Sequence, residues 1–97
     1  MVLVKISRSF IIVEIFGGSY YLLESMDLCD YKNKVPITSV LDCKEASNTI
    51  QHVSFSTEER NPKFPTGCYV YGKEVYFNIA NSGSRHEGSR LICRDKG

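Results

Sequence analysis

The sequence predicts an α+β fold: a small, disulfide-stapled antiparallel β-sheet with one short helix at about residues 39–48, preceded by an N-terminal strand arm. Three observations predict it. Four cysteines, Cys29, Cys43, Cys68 and Cys93, fall in a chain of only 97 residues. Two runs rich in aromatic and β-branched residues, Cys68–Tyr71 and Glu74–Asn78, flank Gly72-Lys73 as in a tight hairpin. Just before the second cysteine, Thr38 or Ser39 followed by Asp42 reads as a capped helix start.

The cysteines carry the most weight. A chain this short buries only about 60–65% of its unfolded surface, so its stability margin is thin without staples. An even cysteine count at this length points to disulfides and an oxidising compartment, extracellular or at the cell surface. Zinc is the weaker reading, because the spacings of 13, 24 and 24 residues contain no CxxC or HxxxH pair. The favoured pairing is Cys43–Cys68, tying helix to hairpin, with Cys29–Cys93 tying the first strand of the module to the last; spacing alone leaves three connectivities open.

Taken in order, Val2, Val4 and Ile6 alternate with Leu3 and Lys5 in a first strand pattern, and Ser7-Arg8-Ser9 breaks it. Phe10–Phe16 is apolar on both faces apart from Glu14, as in a strand covered on both sides. Gly17-Gly18 is a hairpin turn or a hinge. Residues 1–18 therefore form an arm with its hinge, and residues 19–97 a cysteine-rich β-rich module. Ser19–Ser25 is the module's first strand, and a loop runs from Cys29 to Pro36. Val40, Leu41, Cys43, Ala46 and Ile50 approximate the buried stripe of the helix. Val53–Ser56 is a short strand, Asn81–Ser89 a polar loop, and Leu91–Arg94 a last strand. In the hairpin, a positive φ at Gly72 would make Gly72→Val damaging.

Ile37-Thr38-Ser39, Asp42-Cys43 with Ala46, Pro65 with Gly67-Cys68-Tyr69, Val75-Tyr76-Phe77-Asn78 and Ile92-Cys93-Arg94 together resemble an uncharacterised cysteine-rich module. That module is frequent in predicted extracellular proteins of algae, dinoflagellates and other protists. The resemblance covers about residues 20 to 94 and implies an extracellular module with no catalytic residues to carry over. The chain departs from the pattern in lacking a second C-terminal cysteine pair and in having Ser47 where a second alanine is usual. The arm lies outside the resemblance.

Little else in the sequence carries chemistry. His52 and His86 are the only candidates for a neutral-pH base, and neither has a nucleophile in a recognisable setting. Glu58-Glu59 reads as a solvated loop, and Asp27, Asp30 and Asn33 lack the glycine and terminal glutamate of a calcium loop. No enzyme activity and no cofactor or metal site are expected. With 12 basic and 11 acidic residues the net charge is +1, so no global field favours nucleic acid. No apolar run is long enough to span a membrane. None of the asparagines heads a glycosylation sequon. A secretory leader is not visible in residues 1–16, where Glu14 splits the apolar run; a leader upstream, or a larger precursor, is expected instead. Tyr69 and Tyr71 share a hairpin face, where they complete the core of a protein without tryptophan or form a ligand platform.

The function expected from these features is a non-enzymatic extracellular structural subunit that is a homo-oligomer or polymer. Phe10, Ile11, Ile12, Val13, Ile15 and Phe16 form its subunit interface, inserted as a strand between strands of an identical neighbour, with Gly17 and Gly18 as hinge. Head-to-tail insertion of this kind propagates into a fibre unless it closes into a ring. The rivals are a monomeric secreted carbohydrate-binding or adhesion module, in which Phe10–Phe16 folds back on Ser19–Ser25, and an accessory subunit of a larger lumenal complex.

Overall fold

The computed structural model describes residues 20–96, and the arm and hinge, 1–18, lie outside the described residues. The elements in chain order are β1 (Tyr20–Leu22), a 3-10 turn (Cys29–Lys32), β2 (Val35–Pro36), α1 (Val40–Thr49), β3 (Ser54–Glu59), β4 (Gly67–Tyr71), β5 (Glu74–Asn78) and β6 (Ser89–Arg94). The strands form one six-stranded sheet in the order β1-β6-β4-β5-β3, with β2 also paired to β6. The α+β, disulfide-stapled architecture is as the sequence predicts.

One pairing departs from that expectation. The sheet is mixed, because β3 runs parallel to β5 while every other pair is antiparallel. The cause is the hairpin. Tyr71 faces Glu74 across a two-residue turn, so β4 and β5 are neighbours; β6 occupies the other side of β4, which leaves β3 the outer side of β5. Glu59 at the end of β3 and Gly67 at the start of β4 both lie beside Asn78. The 60–66 loop therefore crosses over the end of β5 to join its two flanking strands. In the hairpin turn, Gly72 has φ +66° and Lys73 is not positive, the pattern of a type II′ turn with glycine first.

Period-two alternation divides the side chains between two faces. Cys68 and Val70 of β4, Val75 and Phe77 of β5 and Ile92 of β6 join Ile37, Cys43 and Ala46 in the larger core, under α1. Tyr69, Leu91 and Cys93 point the other way and pack with Leu23 and Cys29 in a smaller one. Each face holds one disulfide: Cys43–Cys68 on the helix side and Cys29–Cys93 on the other. Both are the pairs favoured from the sequence.

Helix α1 begins where expected. Ser39 has extended backbone (φ −132°, ψ 140°), and its side chain accepts from the Asp42 N–H at 3.1 Å. Cys43, Ala46 and Ser47 are its buried residues, with Val40 and Ile50 packed at the core's margin. Leu41 does not belong to the stripe: it is 73% exposed. One residue turns a helix by about 100°, which carries Leu41 off the line through Val40, Cys43 and Ser47.

Strand β6 is the spine of the sheet. Its first half pairs with β4 from Leu91 to Ser89, and Arg94 and Cys93 pair with Val35 and Pro36 of β2. Its other side carries β1, from Tyr20 opposite Arg94 to Leu22 opposite Ile92. Proline in β2 is tolerated because the strand has only two residues and lies at a sheet margin.

Candidate functional site

Among the described residues three features could meet a partner: the two outer edges of the sheet, the aromatic face opposite the helix, and a cavity beside that face. The edges follow from topology. Among the described residues Tyr20–Leu22 is the last strand on one side. On the far side, among the described residues the backbone of β3 bonds inward only, with Ser54 N–H to Lys73 and Ile79 N–H to Glu59. Its six residues alternate imperfectly because the register shifts between Phe55 and Thr57, and Ser56, Thr57 and Glu58 are exposed. A bulge and a charge at an edge discourage indiscriminate pairing. Neighbouring strands within the sheet are already hydrogen-bonded to one another, so among the described residues an added strand finds open backbone at an outer edge.

The face opposite the helix carries a row of rings. His86 stacks on Phe64 at 4.3 Å, Phe64 on Tyr69 at 5.6 Å and Tyr69 on Tyr76 at 5.5 Å. Tyr71 meets Phe64 and His86 edge-on. Of the two tyrosines expected to form a ligand platform, Tyr69 is a core residue, 1% exposed, and Tyr71 alone presents its ring to solvent, at 45%. They do share a face. The difference lies in Phe64, which arrives from the crossing loop to cover Tyr69, a contact that strand periodicity cannot reveal.

The phenols on this face are tied to carboxylates. Tyr69 donates to Glu59, and Tyr76 donates to Glu74 at 2.6 Å. Burial, then the Glu59 hydrogen bond, pushes the Tyr69 phenol far above its ordinary value, and the Glu74 hydrogen bond raises Tyr76. Across the sheet, Tyr20 donates to Glu45 of α1 at 3.0 Å and is pushed up to about 12, first by burial and then by that bond. All three remain neutral hydrogen-bond donors at physiological pH.

The cavity, of about 360 Å³, opens between the 3-10 turn, the crossing loop and the 81–88 loop. Leu28, Pro65 and Leu91 contribute apolar wall, and Asp27, Asp30, Arg85 and His86 the polar part. The 81–88 loop is seated by Gly83, where a Cβ would lie 2.5 Å from the Phe64 carbonyl and 2.6 Å from the Thr66 nitrogen. Only glycine allows that approach. Ser84 continues the contact, its N–H donating to the Phe64 carbonyl at 3.0 Å and its hydroxyl to Pro62 at 2.9 Å. His86 Nδ1 accepts from the Gly88 N–H at 3.1 Å and lies 3.3 Å from the buried Ser89 hydroxyl. Nδ1 is thus the unprotonated nitrogen, and Nε2 carries the proton in the neutral ring.

Comparison with protein-family models, curated proteins and solved structures returns no match. The reading of function therefore rests on the residues. The expected interface residues Phe10, Ile11, Ile12, Val13, Ile15 and Phe16, and the hinge Gly17-Gly18, lie outside the described residues. The four cysteines form two disulfides, which fits an oxidising compartment. Among the described residues no helix is long and apolar enough to cross a membrane. His52 has positive φ, 70°, at the turn after α1 and is exposed, whereas His86 is part of the ring stack. Sequence reasoning passed over Asn78 and Phe64, which the crossing loop brings together.

Proposed function

We propose that this chain is a non-enzymatic extracellular structural subunit that assembles head-to-tail into a fibre, its Phe10–Phe16 strand adding to the sheet of the next subunit. The observation that carries this reading is the polarity of the open sheet. In sequence the arm precedes β1 at one margin, and among the described residues the outer side of β3, at the opposite margin, has no partner strand. A strand leaving one edge and docking on the other is a heterologous contact that repeats without limit.

Because neighbouring strands are bonded to each other, the added strand takes the outer edge of β3 rather than a slot between two strands. The arm has seven residues in its apolar run, and β3 offers six. Buried large apolar side chains contribute about 1.5–3 kcal/mol each before ordering costs, so an arm of this composition holds a neighbour even after a generous discount. Two buried disulfides suit a subunit that must persist outside the cell, and the resemblance of residues 20 to 94 to an extracellular protist module points to the same setting.

Among the described residues the outer edge of β1 also has no partner strand, which favours a second reading: a monomer whose arm turns back at Gly17-Gly18 and pairs in cis. Sedimentation velocity of the intact chain separates the two. The assembled form is expected to grow with concentration, and Ile12→Asp or Val13→Asp to reduce it to monomer while the near-ultraviolet circular dichroism of the module stays unchanged. A concentration-independent monomer, or polymers that survive deletion of residues 1–16, would rule out assembly through the arm.

A further inference from the structure

The cavity beside the 3-10 turn is not used by the assembly just described, and its chemistry selects a ligand. Its volume lies at the lower end of the range of small-molecule sites. Its wall alternates between apolar surface and groups that either donate or accept. Leu28, Leu91 and Pro65 offer carbon. The carboxylate of Asp30 has no hydrogen bond of its own among the described residues, and Asp27 is paired only distantly, at 3.7 Å, with Lys32. Arg85 lies over the Tyr31 ring with one terminal nitrogen donating to the Tyr31 hydroxyl, which leaves further N–H groups of the guanidinium available. His86 is locked with Nδ1 as acceptor, so its remaining ring N–H is a donor.

Charge decides between ligand classes. An anion would meet Asp27 and Asp30 in the same cavity, and a cation would meet Arg85. The two signs balance across a small space once Lys32 is set against one of the carboxylates. What fits is an uncharged molecule that both donates and accepts hydrogen bonds and has a carbon face to lay on the apolar wall. We propose that the cavity is a binding site for a neutral sugar residue. The carboxylates accept from ring hydroxyls, Arg85 and His86 donate to sugar oxygens, and Leu28 and Leu91 meet the C–H face. The ring row on the adjoining face, fixed by His86 on Phe64, holds the donor in place.

The test is two-dimensional NMR of the full chain titrated separately with glucose, galactose, mannose and N-acetylglucosamine, and with glycine as a zwitterionic control. At least one sugar is expected to shift the Leu28 and Leu91 methyl signals and the Arg85 side-chain signal saturably, in the millimolar range. Asp30→Asn and Arg85→Gln replace exposed side chains and are expected to weaken that binding about tenfold each, with the fold unchanged. Four sugars without saturable shifts at the cavity overturn the proposal. So does tighter binding of glycine than of any sugar, or sugar binding indifferent to both substitutions.

Discussion

Replacing Cys29 and Cys93 together by alanine is expected to lower the unfolding free energy by about 4 kcal/mol, and replacing Cys43 and Cys68 by about 3.5 kcal/mol. The figures follow from loop closure in the unfolded chain, for bridges separated by 64 and 25 residues. Small domains have total stabilities of about 5–15 kcal/mol, so either loss removes a large fraction. The native-state contacts reinforce the ranking. Cys29 and Cys93 sit in the smaller core, whose other buried residues are Leu23, Tyr69 and Leu91, whereas Cys43 and Cys68 are held among six other buried residues. Urea denaturation of the two double variants measures both values. A loss below about 1 kcal/mol at Cys29–Cys93 would mean that the β1 margin is held by packing alone.

The second large effect is expected at Asn78. The side chain is 1% exposed, and all its hydrogen-bonding capacity is spent on backbone. Its oxygen accepts from the N–H groups of Asn61 (2.9 Å) and Ala80 (3.1 Å). Its nitrogen donates to the carbonyls of Asn61 (2.7 Å), Pro65 (2.9 Å) and Phe64 (3.2 Å). One amide thus satisfies both strands of the loop that crosses over β5. Asn78→Ala strands several buried polar groups at once, each costing about 1–3 kcal/mol when left without a partner, and a loss of about 3–5 kcal/mol is expected. Asn78→Asp keeps the shape and the acceptor but loses the donor and buries a charge. If it proves as stable as wild type by thermal denaturation at neutral pH, the hydrogen bonds are not what holds the loop.

Much of this fold is legible in local pattern. The Cys68–Asn78 hairpin, the helix opening at Ser39 and the last strand through Cys93 rest on neighbours within a few residues, and periodicity or capping reveals them. The favoured disulfide pairing is the one that forms, although spacing alone leaves three connectivities open. What was not legible depends on long-range geometry. The parallel pairing of β3 with β5 is forced by the hairpin, and β3 itself reads weakly because Ser56, Thr57 and Glu58 face solvent. Leu41 looked like core because it is apolar, yet its helical phase puts it outside. The short strand β2 was hidden by Pro36, a residue that argues against strand almost everywhere except a margin such as this one. The cavity is assembled from residues 26 to 91, which no sequence window spans.

The crossing loop also dictates a sequence of events in time. Strand β3 is made before β4 but pairs with β5, so it has no partner until the β4–β5 hairpin has closed and the chain has folded over its end. Hairpins of this kind close in about 1–10 μs, whereas the β1–β6 pairing brings together residues 72 or so apart and pays a longer closure. Oxidation should keep the same order. Cys68 lies in the early hairpin and Cys43 in the helix packed against it, so they join first; Cys29 and Cys93 are joined only when the last strand is in place. Acid-trapped refolding intermediates are expected to be rich in the one-bridge species Cys43–Cys68. A dominant Cys29–Cys93 intermediate would mean instead that the sheet is built from its β1–β6 side. Wherever the chain is synthesised, the module cannot be covalently sealed until residue 93 has emerged.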